Sequence, residues 1–204
     1  MDVHKLSVKF FLKDPKSVDP DEVIPLFHRW IQTHRVDGLL IDVADYEHVP
    51  NSTGICLIGH EADFYLDRSE GPAGLMYARK QAFDGAEGAD LAARLTAAFK
   101  HALAACGKFE TDYKPASGAT QGGAGARFGG GEALVVFNDR LNAPNDEATF
   151  AAVQPAVAAV AQKLYGGAKV EISRVKNHAR QRLTVRIKSS GAEAAPAALL
   201  TRLG

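Results

Sequence analysis

Two parts of this chain repeat one order of secondary-structure patterns, and a glycine-rich segment separates them. Both parts show a strand pattern, an amphipathic helix, further strands and a second helix. The segment between them has seven glycines in residues 117–131 and no apolar periodicity, which is typical of a flexible connector. This order of elements predicts an α+β fold.

The first part, residues 1–107, shows the pattern β-α-β-β-β-α. Apolar and polar residues alternate from Leu6 to Leu12, and the sequence Asp19-Pro20 then begins a helix that runs to about His34. Three further strands are predicted at 39–43, 54–67 and 75–79, the last two as a hairpin. A second helix follows from Asp90, and Gly107 is its expected end.

The second part, residues 132–204, shows the pattern β-α-β-β-α. Its strands are predicted at 133–138, 170–175 and 183–187, and its helices at 145–166 and 192–203. We expect a two-layer α/β sandwich of two related ferredoxin-like β-α-β-β-α halves, joined by a connector at 108–131. The two units pack either separately or as one domain, and their sequence identity is weak.

Composition and chain ends define the broad class. With 204 residues, 46% apolar and 24% charged, the sequence is that of a globular protein. Cys56 and Cys106 lack the spacing of metal ligands, so buried reduced thiols are expected. The start lacks a signal-peptide pattern, and no apolar run reaches the roughly 18 residues of a membrane span. By elimination we expect a cytoplasmic protein without a membrane partner.

The formal charge of zero is a cancellation between two regions of opposite sign. Residues 37–90 contain eleven acids and three bases, a net charge of −8, whereas residues 166–204 contain eight bases and two acids, a net charge of +6. Neutrality argues against a uniformly basic nucleic-acid-binding protein. The opposite charges instead suggest a contact between these regions, either within one chain or between two chains.

An acidic and histidine-bearing set is the first candidate site. Its members are Asp42, Asp45, His48, His60, Glu61 and Asp63. If the neighbouring strands bring these side chains to one strand end, they form a divalent metal site or an acid–base site. Alternatively, Asp45 and His48 cap a turn before Pro50 while Glu61 and Asp63 face water, which is the favoured interpretation.

A basic set on the last predicted hairpin is the second candidate site. It consists of Arg174, Lys176, Arg180, Arg182, Arg186 and Lys188. Guanidinium groups match phosphate and carboxylate oxygens, so phosphate, nucleic acid and an acidic protein surface are all open. No aromatic residue lies between these cations for base stacking, which makes nucleic acid the less favoured partner. A solvated strand face is the simplest interpretation.

The sequence from Phe27-His28-Arg29-Trp30 through Leu40-Ile41-Asp42-Val43 to Gly59-His60-Glu61-Ala62-Asp63 resembles a family of uncharacterised bacterial proteins. The resemblance covers about residues 1–80. It implies no activity, cofactor or site residue for this chain.

Catalytic motifs do not decide the function. The chain has no GxSxG or HExxH motif, and its glycine-rich segment lacks the Lys-Ser/Thr ending of a phosphate-binding loop. We therefore expect a binding or assembly module, with a protein partner or a second copy, that acts through an open polar sheet face. The alternatives are a metal-assisted or acid–base enzyme at the acidic set, and phosphate or nucleic-acid binding at the basic hairpin.

Overall fold

The computed structural model describes residues 2–49, 54–69, 71–115, 125–191 and 194–204. An open eight-stranded antiparallel sheet packs with four helices, which confirms the α+β prediction. None of the described helices has the length and apolar character needed to cross a bilayer. Cys56 and Cys106 are both free and buried, as expected.

The strands and helices alternate along the chain in two groups. The strands are β1 Leu6–Leu12, β2 Leu40–Asp45, β3 Ile55–Gly59, β4 Ala62–Asp67, β5 Gly74–Arg79, β6 Phe128–Phe137, β7 Val170–Arg174 and β8 Leu183–Ser189. The helices are α1 Pro20–Thr33, α2 Leu91–Asp112, α3 Glu147–Tyr165 and α4 Pro196–Leu203, with a short 3₁₀ helix at Gly85–Gly88.

The strand order in the sheet is β2-β3-β4-β5-β1-β6-β8-β7. Strands β1 and β6 pair antiparallel in the middle, and each borders the last strand of its own part, β5 or β8. The two predicted parts therefore contribute to one sheet. This order brings residues that are far apart in sequence onto neighbouring strands.

Three helices begin directly after an aspartate whose carboxylate caps the first turn. Asp19 accepts a hydrogen bond from the Asp21 N–H at 3.1 Å, Asp90 accepts from Ala93 at 2.8 Å and Asp146 accepts from Thr149 at 2.7 Å. Each carboxylate satisfies an N–H that has no partner inside the helix and lies at the positive end of the helix dipole. Local chemistry thus accounts for the starts of α1, α2 and α3.

Two predicted boundaries are wrong. The single strand predicted at 54–67 is the hairpin β3–β4, whose turn brings Gly59 so close to Ala62 that an added Cβ would lie 2.4 Å from the Ala62 carbonyl oxygen. Helix α2 continues through Gly107 because Phe109 is fully buried in the core and Asp112 binds Trp30 at 3.0 Å.

The connector predicted at 108–131 is shorter than expected, because both of its ends belong to regular secondary structure. Residues 108–112 belong to α2, and residues 128–131 belong to β6. Residues 116–124, which carry three of the seven glycines, lie outside the described residues.

The main core lies between the helices and one face of the sheet. On β1 the alternate residues Leu6, Val8 and Phe10 are completely buried there, and the Phe10 ring meets the Phe99 ring of α2 edge-on, with centroids 6.0 Å apart. Burying each such side chain contributes about 1.5–3 kcal/mol. This packing turns the other residues of each strand to the opposite face.

We call that opposite face, which carries Ser7 and Lys9, the groove face. The side chains of Lys9 and of Asp67 on β4 are both without exposed surface, and Lys9 Nζ lies 2.5 Å from Asp67 Oδ2. The lysine stem passes over Gly74 of β5, where an added Cβ would lie 3.0 Å from Lys9 Cε and 2.2 Å from the Phe10 carbonyl oxygen. A glycine at this position therefore makes room for the ion pair.

Replacing Lys9 by methionine should destabilise the fold strongly. Lys9→Met leaves the Asp67 carboxylate buried without its cation, a change that costs about 3–5 kcal/mol in unfolding free energy. The double variant Lys9→Met/Asp67→Leu should recover most of this loss because both charges are removed. Urea unfolding monitored by circular dichroism measures the effect.

The matched control is Lys16→Met, which removes an exposed lysine and should change the unfolding free energy by less than about 0.5 kcal/mol. The ion pair does not stabilise the fold if Lys9→Met has the same unfolding free energy as this control. The same conclusion follows if the losses of unfolding free energy in Lys9→Met and in Asp67→Leu simply add in the double variant.

Candidate functional site

A groove of about 1120 Å³ opens on the groove face, at the end of the sheet where β1 begins. Its lining comes from β1, β4 and β5, the segment after β6 and the β7–β8 loop. Sites for small molecules commonly have volumes of about 300–1,000 Å³. The groove is thus large enough for a small-molecule ligand.

Small side chains form the floor of the groove. In the strand register Asp63 of β4 lies opposite Ala78 of β5, which lies opposite Ser7 of β1. Ser7 and the neighbouring Met76 are almost fully buried. Because alanine and serine rise little above the sheet, this row is lower than its surroundings and gives the groove its depth.

One end of the groove, which we call the arginine wall, carries Arg140, Arg180 and Arg182. Arg182 Nη1 donates to Asn138 Oδ1 at 3.1 Å, and Asn138 Nδ2 donates to Ser7 Oγ at 2.7 Å. Arg140 Nη1 donates to the Arg180 carbonyl oxygen at 2.9 Å. These bonds tie the β7–β8 loop to the segment after β6, so the arginine wall has a defined shape.

The segment that precedes α3 also contacts the β7–β8 loop and stabilises its position. Asn145, which is buried, donates through Nδ2 to Asn177 Oδ1 at 2.6 Å and to the His178 carbonyl oxygen at 3.2 Å. An internal support of this kind positions the exposed Arg180 above the groove.

The other end of the groove, which we call the carboxylate end, is built around Asp63. Lys80 Nζ lies 2.7 Å from Asp63 Oδ1, and the Gly59 N–H donates to the same oxygen at 3.1 Å. Tyr65 donates its hydroxyl to Asp63 Oδ2 at 3.1 Å. Burial raises the pKa of Tyr65, with the charges of Cys56 and Asp63 adding to the effect, so the phenol keeps its proton and remains a donor.

The charge of the groove is strongly positive. Its described lining residues include one acid, Asp63, and six cationic residues; besides Arg79 these are Lys5, Lys80, Arg140, Arg180 and Arg182. Arg79 also borders the groove, but its guanidinium donates to the carbonyl oxygens of Gln81 and Ala82. Because Lys80 pairs with Asp63, the excess positive charge lies toward the arginine wall and Lys5.

No family model, curated protein or solved structure matches this chain. The resemblance to uncharacterised bacterial proteins stays a prediction.

The acidic set predicted from the sequence does not form one cluster. Asp63 lines the groove, whereas Glu61 accepts a hydrogen bond from the Leu39 N–H at 3.2 Å outside it. Asp42 and Asp45 accept from nearby backbone N–H groups, and His48 and His60 are exposed. The described ranges contain no group of three or more His, Cys, Asp or Glu side chains that could hold a metal ion.

The alternative interpretation of the acidic set was correct for Asp45 and wrong for Asp63. Asp45 caps a turn by accepting from the Glu47 N–H at 2.8 Å; Pro50 itself lies outside the described residues. Asp63 does not face water, since only 7% of it is exposed. Three donors from the protein replace the water that an exposed carboxylate would bind.

Two members of the predicted basic set, Arg180 and Arg182, line the groove, and the others lie elsewhere. Arg174 Nη2 lies 2.6 Å from Glu147 Oε1 at the start of α3, and Arg186 Nε lies 3.4 Å from Glu132 Oε1. Lys176 is exposed, and Lys188 borders a separate cavity of about 530 Å³. The hairpin is therefore not one continuous cationic surface.

Several groove residues were missed by the sequence analysis. They are Lys5, Ser7, Tyr65, Lys80, Asn138 and Arg140. Alternation with the core residue Leu6 places Lys5 and Ser7 together on the opposite face of β1, so this part of the signal was present. For Asn138 and Arg140 the sequence contains no local signal, because only the order β5-β1-β6-β8 brings them to the groove.

The Cys56 thiol, which lies opposite Tyr65 on the groove face, should be unreactive in the folded protein. Burial and the charge of Asp63 raise the pKa of Cys56 to about 12, and only 2% of the residue is exposed. Since an ordinary thiol has a pKa of about 8.5, the thiolate fraction at a pH of about 8.5 falls roughly a thousandfold. Iodoacetamide labelling followed by peptide mass spectrometry measures the rate.

The control is the same protein unfolded in urea, in which Cys56 should be labelled at the rate of an ordinary thiol. Rapid labelling of Cys56 in the folded protein would contradict its burial. It would show that this part of the groove face is open and that the thiol ionises.

Proposed function

We propose that this protein is a binding protein that takes an anionic ligand in the groove. The observation that carries the proposal is the excess of cationic side chains over carboxylates in a concave site. Concave surfaces of one charge sign concentrate the electric field and attract counter-ions more strongly than flat surfaces do. Phosphate and carboxylate groups fit guanidinium groups with two parallel hydrogen bonds.

Arg140 and Arg180 support this proposal most directly. Both are exposed at the arginine wall, and the described bonds of the Arg140 guanidinium use one nitrogen, Nη1. A guanidinium has five N–H donors, so Arg140 keeps donors for a ligand while it holds the loop. Lys5 lies on the same side of the groove and adds a further positive charge.

Nucleic acid fits the groove less well than a smaller anion. Single-stranded nucleic acid is bound by cations together with aromatic rings on which the bases stack. Tyr65 is the one aromatic residue among the described lining residues, and its hydroxyl is bound to Asp63. This composition favours a compact anion over a polymer.

We further propose that the two parts of the chain are related ferredoxin-like β-α-β-β-α units in a two-layer sandwich. In the second unit, α3 connects β6 to β7, and β8 lies between these two strands in the sheet. In the first unit, α1 connects β1 to β2, and three strands lie between them. The first unit then differs from the second by two additional strands, and the groove crosses the junction between the units.

Self-association is a second candidate function, and a surface feature of segment 39–49 supports it. Four of the five large exposed hydrophobic side chains in the described residues lie there; they are Leu39, Ile41, Tyr46 and Val49. The same segment contains Asp42, Asp45 and Glu47. Exposed apolar side chains with charged neighbours are typical of protein interaction surfaces, and residues 166–204 of a second copy supply the opposite charge.

Such a contact would use side chains rather than addition of a strand. Strand β2 lies at the edge of the sheet, but its register is irregular between Leu40 and Asp42, and the Val43 N–H is already bound by Asp42 Oδ1 at 2.8 Å. Bulges and charged residues at an edge strand oppose regular pairing with another strand.

Pyrophosphate should bind the folded protein at low salt, as measured by isothermal titration calorimetry. The double variant Arg140→Gln/Arg180→Gln should weaken binding at least tenfold, since hydrogen bonds to charged groups contribute about 1.5–3 kcal/mol each. Binding should also weaken as salt is raised, because the attraction is screened.

The matched control is Arg29→Gln, which removes an exposed arginine on α1, away from the groove. This variant should bind pyrophosphate as the unmodified protein does. Absence of binding at low salt, or an equal loss in Arg29→Gln, would refute an anion site in the groove.

Sedimentation velocity at high micromolar protein concentration tests self-association. We expect oligomers at low salt that dissociate at high salt, because the contact joins regions of opposite charge. The variant Ile41→Ser should reduce the oligomer fraction. The variant Leu141→Ser, which changes an exposed leucine outside segment 39–49, should not. A monomer under all these conditions would refute the self-association proposal.

A further inference from the structure

The groove joins two ends of different chemistry, and from this difference we infer that its ligand is a phosphate monoester of a small polyhydroxylated molecule, a sugar phosphate or polyol phosphate. The inference rests on the proposed anion-binding function and specifies the chemical class of the ligand. The phosphate lies at the arginine wall, and the hydroxyl groups lie at the carboxylate end.

The arginine wall fits the charged group of such a ligand. The Arg140 guanidinium donates to the Arg180 backbone carbonyl oxygen, which holds it beside the residue whose exposed guanidinium can contact the same phosphate. Asp139, which directly precedes Arg140 in the sequence, accepts hydrogen bonds from Asn142 and Leu141 in its own turn. These bonds lower the pKa of Asp139 and satisfy its charge locally, while the arginines keep their attraction for an anion.

The carboxylate end fits a neutral polar group rather than a second anion. The charges of Lys80 and Asp63 cancel in their ion pair, so this end carries no excess positive charge. It presents the Lys80 ammonium group and the Tyr65 hydroxyl, both of which are bonded to the Asp63 carboxylate. A hydroxyl both donates and accepts, so sugar hydroxyls can bond to this group without an unpaired charge being buried.

The distance between the two ends favours a ligand longer than phosphate alone. Asp63 lies on β4 and Asn138 follows β6, and between these strands lie β5 and β1. Three strand spacings are about 14 Å between backbones, and side chains extend into this gap from both ends. The floor between them consists of Ala78 and Ser7, which leave room for the body of the ligand.

The lining also argues against other classes of phosphorylated molecule. The apolar lining side chains of the described residues are Met76, Ala78 and the ring of Tyr65; Met76 is 1% exposed, and Tyr65 is bonded to Asp63. A nucleotide base would find one aromatic ring, that of Tyr65, and a lipid tail would find little apolar surface among these residues. A hydroxylated body is the ligand part that this lining matches.

The test compares seven probes by calorimetry on the full chain: inorganic phosphate, pyrophosphate, ribose 5-phosphate, glucose 6-phosphate, glucose, adenosine monophosphate and an RNA oligonucleotide. We expect at least one sugar phosphate to bind at least tenfold tighter than inorganic phosphate, and we expect glucose alone not to bind. Tyr65→Phe should reduce the ratio of sugar-phosphate affinity to phosphate affinity about fivefold by removing one hydrogen bond. Arg180→Gln should weaken both phosphate and sugar phosphate.

Asp63→Asn provides a second variant at the carboxylate end, and thermal unfolding of each variant verifies that it folds. The ligand class is overturned, and the anion site stands, if inorganic phosphate or pyrophosphate binds as tightly as both sugar phosphates. Tighter binding of adenosine monophosphate or of an RNA oligonucleotide also overturns it. If none of the anions binds, the proposed function itself fails.

Discussion

A lysine and an aspartate without exposed side-chain surface fix the alignment of the middle strands. Lys9 of β1 reaches across β5 to Asp67 of β4, on a face where the register neighbours of Lys9 are Met76 and Leu134. A shift of β1 by one residue would turn Lys9 into the apolar core and separate it from Asp67, at a cost of several kcal/mol. The pair therefore specifies one register, and that register also places Ser7 on the floor of the groove. Gly74 is part of the same arrangement, because a Cβ there would lie 2.2 Å from the Phe10 carbonyl oxygen and 3.0 Å from Lys9 Cε.

The sequence is neutral overall, but the strand order places its acidic and basic regions on opposite sides of the sheet. Strands β2 to β5 lie within the acidic region 37–90, β7 and β8 lie within the basic region 166–204, and β1 and β6 lie between them. The groove spans this boundary: Asp63 comes from the acidic side, and Arg180 and Arg182 come from the basic side. The acidic and basic regions, whose charges cancel in the sequence, thus meet at the groove in the folded protein. Because the junction is concave and its acid is already paired with Lys80, the boundary keeps a positive surplus that an external anion can neutralise.

Local features of the fold could be predicted from the sequence, whereas the site depended on distant contacts. The helix caps at Asp19, Asp90 and Asp146 and the alternation in β1 involve residues close in sequence, so the pattern was sufficient. Gly107 was misinterpreted because the burial of Phe109 outweighs the roughly 1 kcal/mol that glycine costs inside a helix. The groove combines Lys5, Asp63, Arg140 and Arg180, and nothing in the local sequence indicates that β1 separates β5 from β6. The two candidate sets therefore include three groove residues, Asp63, Arg180 and Arg182. The sequence did not predict that these residues belong to one site.

The arginines of the second half show how one residue type serves both the fold and a ligand. Arg174 binds Glu147 at the start of α3, and Arg186 lies beside Glu132, so an acid of the chain accompanies each of these cations. At the arginine wall the adjacent acid, Asp139, is instead engaged by its own turn, and Arg140 donates to a backbone carbonyl oxygen that carries no full charge. A guanidinium held by a neutral acceptor keeps its charge for an incoming anion, whereas one paired with a carboxylate would first have to exchange partners. The positions of the acids, rather than the number of arginines, therefore determine where cationic side chains remain for the anion that we propose.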